Sequence, residues 1–403
     1  MIAGRARAVL GAVITVALVA GACGTTTPTL DVAPGATGAA GGAAITPRPT
    51  IVPVPGHEVY GYLPYWEMDD SIVDHVAATD LTTLALFSVT HRRDGELDDA
   101  QSGYRHITGA VGRQVVRTAQ DRGARVELVY TSFGAGKNRQ FYTEPGAQTR
   151  WIEVLVDLVE ELGLDGVNVD VESLPREHVT DYGAFVGRLR AALRARLPQA
   201  QVSVATQANE LGAAMAAAAG VVGVDRIFLM GYDYHWAGSE PGASAPIDRL
   251  DGAEKDLVWS LDLYGALGVP VERTILGLPL YGMTWPVIGP GVGSLSVGRG
   301  DAWVPRRNLG VLGDALFAPS LEPVESVEFY AVPAGASSSA PSGEQAGWTA
   351  VYYDSPRSLA PKLSLANERG LAGAGFWAIG YERGLPGYGE LIATFRAGEL
   401  EVP

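Results

Sequence analysis

The most constraining feature of the sequence is the ten-residue segment LDGVNVDVES at positions 164–173. Because successive side chains of a strand point to opposite faces, Asn168, Asp170 and Glu172 share one face and three valines share the other. An isolated strand of this kind is typically an edge strand with its polar face in water. If the strand is buried, its three polar groups need a cavity or a reaction that offsets the cost of their desolvation.

This segment lies between two stretches with helical periodicity, Trp151–Leu162 and Arg176–Leu197. Helix, strand and helix in succession predict a parallel strand covered by helices, and barrel enzymes hold their catalytic groups at the carboxyl ends of such strands. Eight segments have strand character: Val59–Trp66, Leu81–Val89, Arg125–Ser132, Leu164–Ser173, Gln201–Ala208, Arg226–Tyr232, Thr274–Tyr281 and Gly373–Ile379. Helix-like segments separate most of them, among them Ile107–Asp121, Asp248–Leu267 and Ser358–Arg369.

Eight strands that alternate with helices over about 340 residues favour an α/β fold, a (β/α)8 TIM barrel. The alternative is a doubly wound open sheet, which usually carries a glycine-rich phosphate-binding loop after its first strand. No such loop follows Val59–Trp66. Residues 283–354 lack helical periodicity and contain two β-like pieces, Ser326–Val332 and Trp348–Tyr353. They are too many for an ordinary barrel loop.

The first 56 residues differ in composition from the rest of the chain. Residues 1–22 have the pattern of an export signal peptide, because Arg5 and Arg7 precede an apolar run that ends in small residues. Cys23 follows directly and is the only cysteine, so no intramolecular disulfide can form. The sequence around it resembles a bacterial lipoprotein box, which implies lipidation of Cys23. Residues 23–56 are rich in Thr, Pro, Gly and Ala and predict a flexible linker before a globular domain at 57–403.

Charge and motif content narrow the classes of ligand. Thirty Lys and Arg against 45 Asp and Glu give a net charge of −15. This charge opposes binding to nucleic acids, whose affinity depends on neutralising phosphates, and a neutral ligand fits better. The six His are scattered, and neither HExxH nor CxxC occurs, so we expect no metal and no other cofactor. We expect a monomer that meets the membrane only through a lipid anchor.

The segment DGVNVDVE resembles the DGxDxDxE signature of glycoside hydrolase family 18, the chitinase-like enzymes. Asp165, Gly166, Asp170 and Glu172 match the signature, and Asn168 stands where the family usually has Asp. A second segment, MGYD at positions 230–233, is similar to the family's MxYD. The third strand departs from the family, since SFGA stands in place of SxGG. The GVNVDVE form of the motif and the strand-eight sequence GAGFWAIGYERG look closer to a bacterial branch with spore-germination and cell-wall N-acetylglucosaminidases than to the large secreted chitinases.

The resemblance implies a role for each matching residue. Glu172 would be the acid that protonates the departing oxygen, with a pKa raised by the neighbouring carboxyl of Asp170. Asp170 would also bind the N–H of the substrate's acetamido group. Tyr232 would bind the acetamido oxygen with support from Asp233, whose side chain reaches the site only if the sixth strand ends before it. The substrate-binding candidates are Tyr62, Asn168, Met230, Tyr281 and Trp377.

Three of these candidates have more specific roles. Trp377 would form an apolar floor beneath the reacting sugar. In place of the usual Asp, Asn168 can only hydrogen-bond to Asp170. Tyr62 matches a family aromatic at the end of the first strand. The candidates for outer sugar platforms are Trp66, Trp236 and Trp285. By the same resemblance, residues 283–354 would be a small α+β insertion between the seventh strand and the last barrel helix, forming one wall of the cleft.

The expected function is hydrolysis of glycans that contain β-1,4-linked N-acetylglucosamine, of the chitin or peptidoglycan type. In this family the substrate's own acetamido oxygen attacks the anomeric carbon, which retains the configuration. The alternative is a non-catalytic, lectin-like surface protein that binds chitin or peptidoglycan; such proteins typically lose the acid, whereas this chain keeps Glu172. A surface scaffold is a third reading, since fold alone does not fix function. The export signal and Cys23 predict a lipoprotein on the outer face of a bacterial membrane, or a secreted protein.

Overall fold

The computed structural model describes residues 56–314, 318–334 and 347–400. The predicted export signal, Cys23 and the linker as far as residue 55 lie outside the described residues, so they stay predictions. Within the three described ranges, no helix is both long enough and apolar enough to cross a membrane.

The strands of the described part are β1 (Glu58–Pro64), β2 (Thr83–Val89), β3 (Arg125–Phe133), β4 (Gly166–Glu172), β5 (Gln201–Gln207), β6 (Arg226–Met230), β7 (Thr274–Pro279), β8 (Gly282–Val287), β9 (Asp301–Trp303), β10 (Ser320–Glu322), β11 (Val327–Pro333), β12 (Trp348–Tyr353) and β13 (Gly373–Trp377). Eight of them pair in parallel and close into a barrel in the order β1-β13-β7-β6-β5-β4-β3-β2. Each of the eight predicted strand segments overlaps one of these strands. The closed ring confirms the (β/α)8 barrel and excludes an open sheet.

The helices are α1 (Ile72–Ala78), α2 (Ser102–Thr108), α3 (Ala110–Asp121), α4 (Ala135–Thr143), α5 (Pro145–Leu162), α6 (Val179–Arg196), α7 (Glu210–Val221), α8 (Leu257–Ala266), α9 (Leu309–Leu312), α10 (Pro356–Glu368) and α11 (Tyr388–Ala397). Helix α5, which precedes β4, buries Trp151, Leu155 and Val159 on one face, as the spacing of its apolar residues predicts. It ends at Gly163, whose φ of 64° lies in the left-handed region that glycine adopts without strain.

Two predicted helices differ from the observed ones. The helix predicted from Asp248 begins only at Leu257, because the side chain of Asp256 caps it and accepts a hydrogen bond from the backbone N–H of Trp259 at 2.7 Å. The predicted helix at 107–121 is two helices, α2 and α3, which meet at Gly109 in an extended conformation. Apolar periodicity does not report such local boundaries.

The insertion between β7 and α10 is a five-stranded antiparallel sheet in the order β10-β11-β12-β8-β9. Strands β11 and β12 are the two predicted β-like pieces. Strands β8, β9 and β10 were not predicted, because runs of three to six residues carry little periodic signal. An ion pair between Asp354 and Lys362, whose side chains are 2% and 0% exposed, joins the end of β12 to α10.

Strand β4 is buried on both of its faces and is therefore not an edge strand. Val167 and Val169 on one face and Asn168 and Asp170 on the other are at most 4% exposed. The polar face points into the barrel, where the hydroxyl of Tyr62 on β1 reaches Asn168. The apolar part of the barrel interior consists of Tyr60, Tyr62, Ala85, Phe87, Val129, Ala205, Phe228 and Ile275.

Candidate active site

The polar side chains of β4 form a series that runs from the centre of the barrel to its mouth. Asn168 is fully buried, Asp170 is 4% exposed, and Glu172 at the carboxyl end of the strand is partly exposed. The strand ends there, because Ser173 adopts a φ of 58° in the left-handed region. A solvent-accessible carboxyl group thus lies directly above a buried one.

Two amide side chains hold Glu172 in place. Gln207 on β5 donates from Nε2 to Oε2 of Glu172 at 3.0 Å. Asn138 on α4 donates from Nδ2 to the backbone oxygen of Glu172 at 2.6 Å. Burial, and next the negative charge of Asp233, raise the pKa of Glu172 to about 7. Glu172 and Asp170 also interact as expected, because neighbouring like charges raise each other's pKa and the charge of Glu172 is a cause of the raised pKa of Asp170. Asp233, on the loop after β6, is a second negative charge that acts on Glu172, and the sequence did not predict it.

Asp170 is buried and has an open acceptor. Burial, and next the charge of Glu172, raise its pKa well above the usual range of an aspartate. Its Oδ1 atom has no hydrogen-bond partner within the described part of the chain. A buried acceptor without a partner costs about 1–3 kcal/mol, so a ligand that donates a hydrogen bond here regains that energy.

Asn168 does not make the expected hydrogen bond to Asp170. Its Oδ1 accepts from the hydroxyl of Tyr62 at 3.0 Å, and its Nδ2 donates to Oγ of Ser203 at 2.8 Å. The bond to Tyr62 crosses the barrel interior to β1, and the bond to Ser203 joins the neighbouring strand β5. The amide is thus tied to the layer beneath Asp170 instead of to Asp170 itself.

The segment after β6 brings Asp233 to the site. Strand β6 ends at Met230, and Asp233 has a φ of 64°, so the chain turns before it as the prediction required. Asp233 Oδ1 accepts a hydrogen bond from the hydroxyl of Tyr281, and its backbone N–H donates to Oγ of Ser244 at 3.0 Å. Asp233 keeps an accessible surface in the cleft, while the protein atoms packed around its carboxyl raise its pKa.

Aromatic side chains surround these carboxyl groups. Tyr232 packs edge-on against Tyr281, with ring centroids 6.2 Å apart. Burial raises its pKa, and the charges of Asp170, Asp233 and Glu172 act in the same direction. Tyr232 therefore stays protonated as a hydrogen-bond donor. Met230 is partly buried against the barrel interior.

Trp377 at the end of β13 is half-buried, and its ring lies 4.8 Å from that of Phe87 and 5.7 Å from that of Tyr62. Trp66 lies 6.3 Å from Trp377 and is 42% exposed, so these two rings form a continuous aromatic surface. The proposed outer platform at Trp285 is wrong. That side chain is fully buried, with its Nε1 bound to the backbone oxygen of Ser239. Trp236 is half-buried.

Four polar side chains around the site were missed at the sequence level: Glu127, Asn138, Gln207 and Ser244. Two of them carried a signal, because Glu127 on β3 and Gln207 on β5 have the parity of the barrel-facing residues Val129 and Ala205. Asn138 lies on the short helix α4, and Ser244 lies in the loop after β6, which has no regular periodicity. Only the folded chain brings them to Glu172 and Asp233.

A closed parallel barrel with paired carboxyl groups at the carboxyl ends of its strands, one of them with a pKa near neutrality and all bordered by aromatic rings, has the architecture of a glycoside hydrolase. The chain belongs to glycosyl hydrolases family 18, whose family model matches residues 58–382. The match begins at β1 and extends past Trp377, so it includes all eight barrel strands and the insertion.

Individual relatives are distant. The chain is 26% identical over 251 residues to a Bacillus subtilis (strain 168) protein described as a sporulation-specific glycosylase, YdhD, with 60% of this chain and 53% of that protein covered. It is 23% identical over 323 residues to the cortical fragment-lytic enzyme of Bacillus anthracis, with 77% and 68% covered. The chain thus spans about half of the first relative and about two thirds of the second. A class V chitinase from Nicotiana tobaccum shares the fold, with a TM-score of 0.68, 16% identity, and 84% and 99% of the two chains covered.

Proposed function

We propose that this chain hydrolyses glycans that contain β-1,4-linked N-acetylglucosamine, with retention of configuration, and that the substrate's acetamido group is the nucleophile. The observation that carries the proposal is the pairing of Glu172, whose pKa is about 7, with the open Oδ1 acceptor of the buried Asp170. Membership of family 18 supports it, since that family is an exception to the rule that retaining enzymes use a protein nucleophile.

Glu172 is the general acid in this proposal. A carboxyl group with a pKa of about 7 is protonated in about half of the molecules at neutral pH, whereas an ordinary glutamate is almost fully ionised. Gln207 and Asn138 fix its position from two sides, so its proton can be aimed at the glycosidic oxygen. As the bond from the anomeric carbon to that oxygen breaks, the proton passes to the leaving sugar.

Asp170 and Tyr232 orient the nucleophile. Oδ1 of Asp170 accepts the acetamido N–H, and the hydroxyl of Tyr232 donates to the acetamido oxygen. That oxygen forms a bond to the anomeric carbon and gives a cyclic oxazolinium ion. The ionised Glu172 then takes a proton from water, which attacks the anomeric carbon and reopens the ring. Two inversions at one carbon leave the product with the β configuration.

Trp377 and Trp66 are the proposed sugar-binding surface. A flat indole offers a wide apolar face to the C–H side of a pyranose while it excludes water. The net charge of −15 also favours an uncharged glycan over a polyanion. Relatives named as a cortical fragment-lytic enzyme and as a chitinase support both peptidoglycan-type and chitin-type substrates, which share the N-acetylglucosamine unit.

We further propose that the protein is exported and held at the outer face of a bacterial membrane by a lipid on Cys23. The support is the apolar run after Arg5 and Arg7 and the small residues before the cysteine. The residues between Cys23 and the barrel would then act as a tether between the membrane and the cell wall.

The test uses chitin hexasaccharide, purified peptidoglycan and a β-1,4-glucan of equal length, with proton NMR of the fresh product. We expect cleavage of the first two substrates, a β-anomer as the first product, and inhibition by a thiazoline analogue of the cyclic intermediate. Equal cleavage of the glucan, or an α-anomer appearing first, would refute the substrate-assisted route. Binding of the hexasaccharide without any turnover would favour a lectin-like protein instead.

A further inference from the structure

A chain of buried hydrogen bonds runs through the centre of the barrel, beneath Asp170. At its lower end Glu127 on β3 is 1% exposed, and its Oε2 accepts from the hydroxyls of Tyr60, at 2.7 Å, and Ser203. Ser203 Oγ accepts from Nδ2 of Asn168 at 2.8 Å, and Oδ1 of Asn168 accepts from the hydroxyl of Tyr62 at 3.0 Å. The path from Glu127 to Tyr62 is continuous, and the proposed mechanism does not use it.

The charge on Glu127 fixes the direction of this chain. An ionised carboxylate only accepts hydrogen bonds, so the single hydroxyl proton of Ser203 goes to Glu127. The oxygen of Ser203 is then left to accept, which turns the nitrogen of the Asn168 amide toward Ser203 and its oxygen toward Tyr62. The hydroxyl proton of Tyr62 is thereby committed to Asn168.

Glu127 is largely ionised at neutral pH, although it is buried. Burial raises its pKa to about 6, and the hydrogen bonds from Ser203 and Tyr60 act in the opposite direction. Tyr60 itself stays neutral, because burial and the charge of Glu127 raise its pKa. The charged groups around Glu127 at the barrel floor are Arg125, Asp225, Arg226 and the Glu58 carboxylate that pairs with both arginines.

The direction matters because Tyr62 lies beside Asp170. Asn168, which accepts from the Tyr62 hydroxyl, is the neighbour of Asp170 on the same face of β4, and after burial and Tyr60 the charge of Asp170 is a further cause of the raised pKa of Tyr62. A Tyr62 proton that was not committed to Asn168 would be available to the open Oδ1 of Asp170. In that state the substrate's acetamido N–H would compete for an oxygen that is already occupied.

We infer that Glu127 is a positioning residue for the reaction. By fixing the direction of the hydrogen-bond chain, it holds the Tyr62 proton on Asn168 and keeps Oδ1 of Asp170 open for the substrate. This inference rests on the proposed function, since it assumes that Asp170 binds the acetamido group.

The same chain of hydrogen bonds explains why an amide suits position 168. With Asp at 168, two carboxylates would compete for the one proton of Ser203, and two buried negative charges would lie one side chain apart. An amide in that position donates to Ser203 and accepts from Tyr62 at once. In this chain of hydrogen bonds the negative charge therefore lies on Glu127, and residue 168 is neutral.

The inference is tested with four variants at pH 7, by kcat and KM on chitin hexasaccharide, the dissociation constant of the thiazoline, and thermal unfolding. In Glu127→Gln the new amide donates to Ser203 and reverses the chain, so kcat and thiazoline affinity should fall about 10- to 100-fold. Asn168→Asp alone should be impaired to a similar degree. In Glu127→Gln with Asn168→Asp, an Asp at 168 accepts from both Ser203 and Tyr62, and kcat should return to within about threefold of wild type.

Tyr60→Phe is the matched control, because it removes the other hydrogen bond to Glu127 without reversing the chain. Its kcat should stay within about twofold of wild type. A purely structural role of Glu127 predicts instead that the double variant is at least as impaired as either single one. That result, or wild-type kcat in Glu127→Gln, would overturn the inference.

If Glu127→Gln does not fold, the comparison of the double variant with Asn168→Asp still decides: higher kcat in the double variant supports the inference, and equal or lower kcat overturns it. A wild type that cleaves no N-acetylglucosamine polymer would overturn the proposed function and this inference together. If the wild type is active and the losses of the two single variants simply add in the double variant, this inference alone is overturned.

Discussion

Replacing Asp233 by Asn should shift the pH dependence of hydrolysis to lower pH. The change removes one negative charge next to Glu172 and keeps the size of the side chain. The amide oxygen can still accept the hydrogen bond from Tyr281, and the backbone bond to Ser244 is untouched. The variant therefore isolates the charge of Asp233 from its place in the loop.

The size of the shift follows from the causes of the raised pKa. Glu172 has a pKa of about 7 against an ordinary value of 4.5, and burial is a larger cause than the charge of Asp233. The charge is thus the smaller of the two raising causes, and its removal should lower the pKa of Glu172 by about one pH unit. Because Glu172 must be protonated to act as the acid, activity falls as pH rises through this pKa. A lower pKa moves that alkaline limb to lower pH.

The measurement is kcat/KM for chitin hexasaccharide between pH 4 and 9, with each profile normalised to its own maximum. Asp157→Asn is the matched control, since Asp157 is an exposed residue of α5 and its replacement makes the same change in net charge. The control should superimpose on wild type. An alkaline limb that stays in place in Asp233→Asn, or moves to higher pH, would show that Asp233 does not set the pKa of the acid.

Three further predictions concern the acid, the anchor and the insertion. Glu172→Gln should lower kcat about 10²- to 10⁴-fold while hexasaccharide binding by calorimetry stays close to wild type, and retained turnover would exclude Glu172 as the acid. Cys23→Ser should move the full-length protein from the membrane fraction to the soluble fraction, whereas unchanged fractionation would contradict lipidation. Lys362→Met should destabilise the protein by about 3–5 kcal/mol in thermal unfolding, because it leaves Asp354 buried without its cation. A loss below 1 kcal/mol would mean that Asp354 becomes protonated at little cost.

Most of what the sequence predicted about the site came from the alternation of side chains between the two faces of each strand. Asn168, Asp170 and Glu172 lie on one face of β4 as predicted, and the parity of Asp233 correctly required a turn after Met230. Parity is a local property of each strand and holds wherever the strand is regular. The eight strand positions followed from the same signal, and their order in the closed barrel followed from the chain order.

The alternation of side chains within one strand could not predict which residues of distant strands interact. Asp233 and Glu172 are 61 positions apart, and nothing in either segment indicates which carboxyl raises the pKa of the other. The buried Trp285 is a similar case, because its position beyond β7 suggested a cleft residue. It lies instead on β8 within the insertion sheet, where it is buried and Tyr352 of β12 packs against its ring at 5.8 Å. Burial by an insertion depends on tertiary packing, which the pattern of one strand does not contain.

The spacing of charges in the barrel gives a physical reason for the neutral residue at 168. Carboxyl groups two residues apart on one strand face lie about 7 Å apart, close enough for each negative charge to raise the pKa of the next. Burial raises the pKa of both Asp170 and Glu172, and the charge of Glu172 adds to the rise at Asp170 as the charge of Asp233 does at Glu172. A third carboxylate on β4, directly above Glu127, would make it harder still to ionise Asp170. The Asn168 amide interrupts this series of charges, so the carboxyl groups of the cleft titrate apart from Glu127 at the barrel floor.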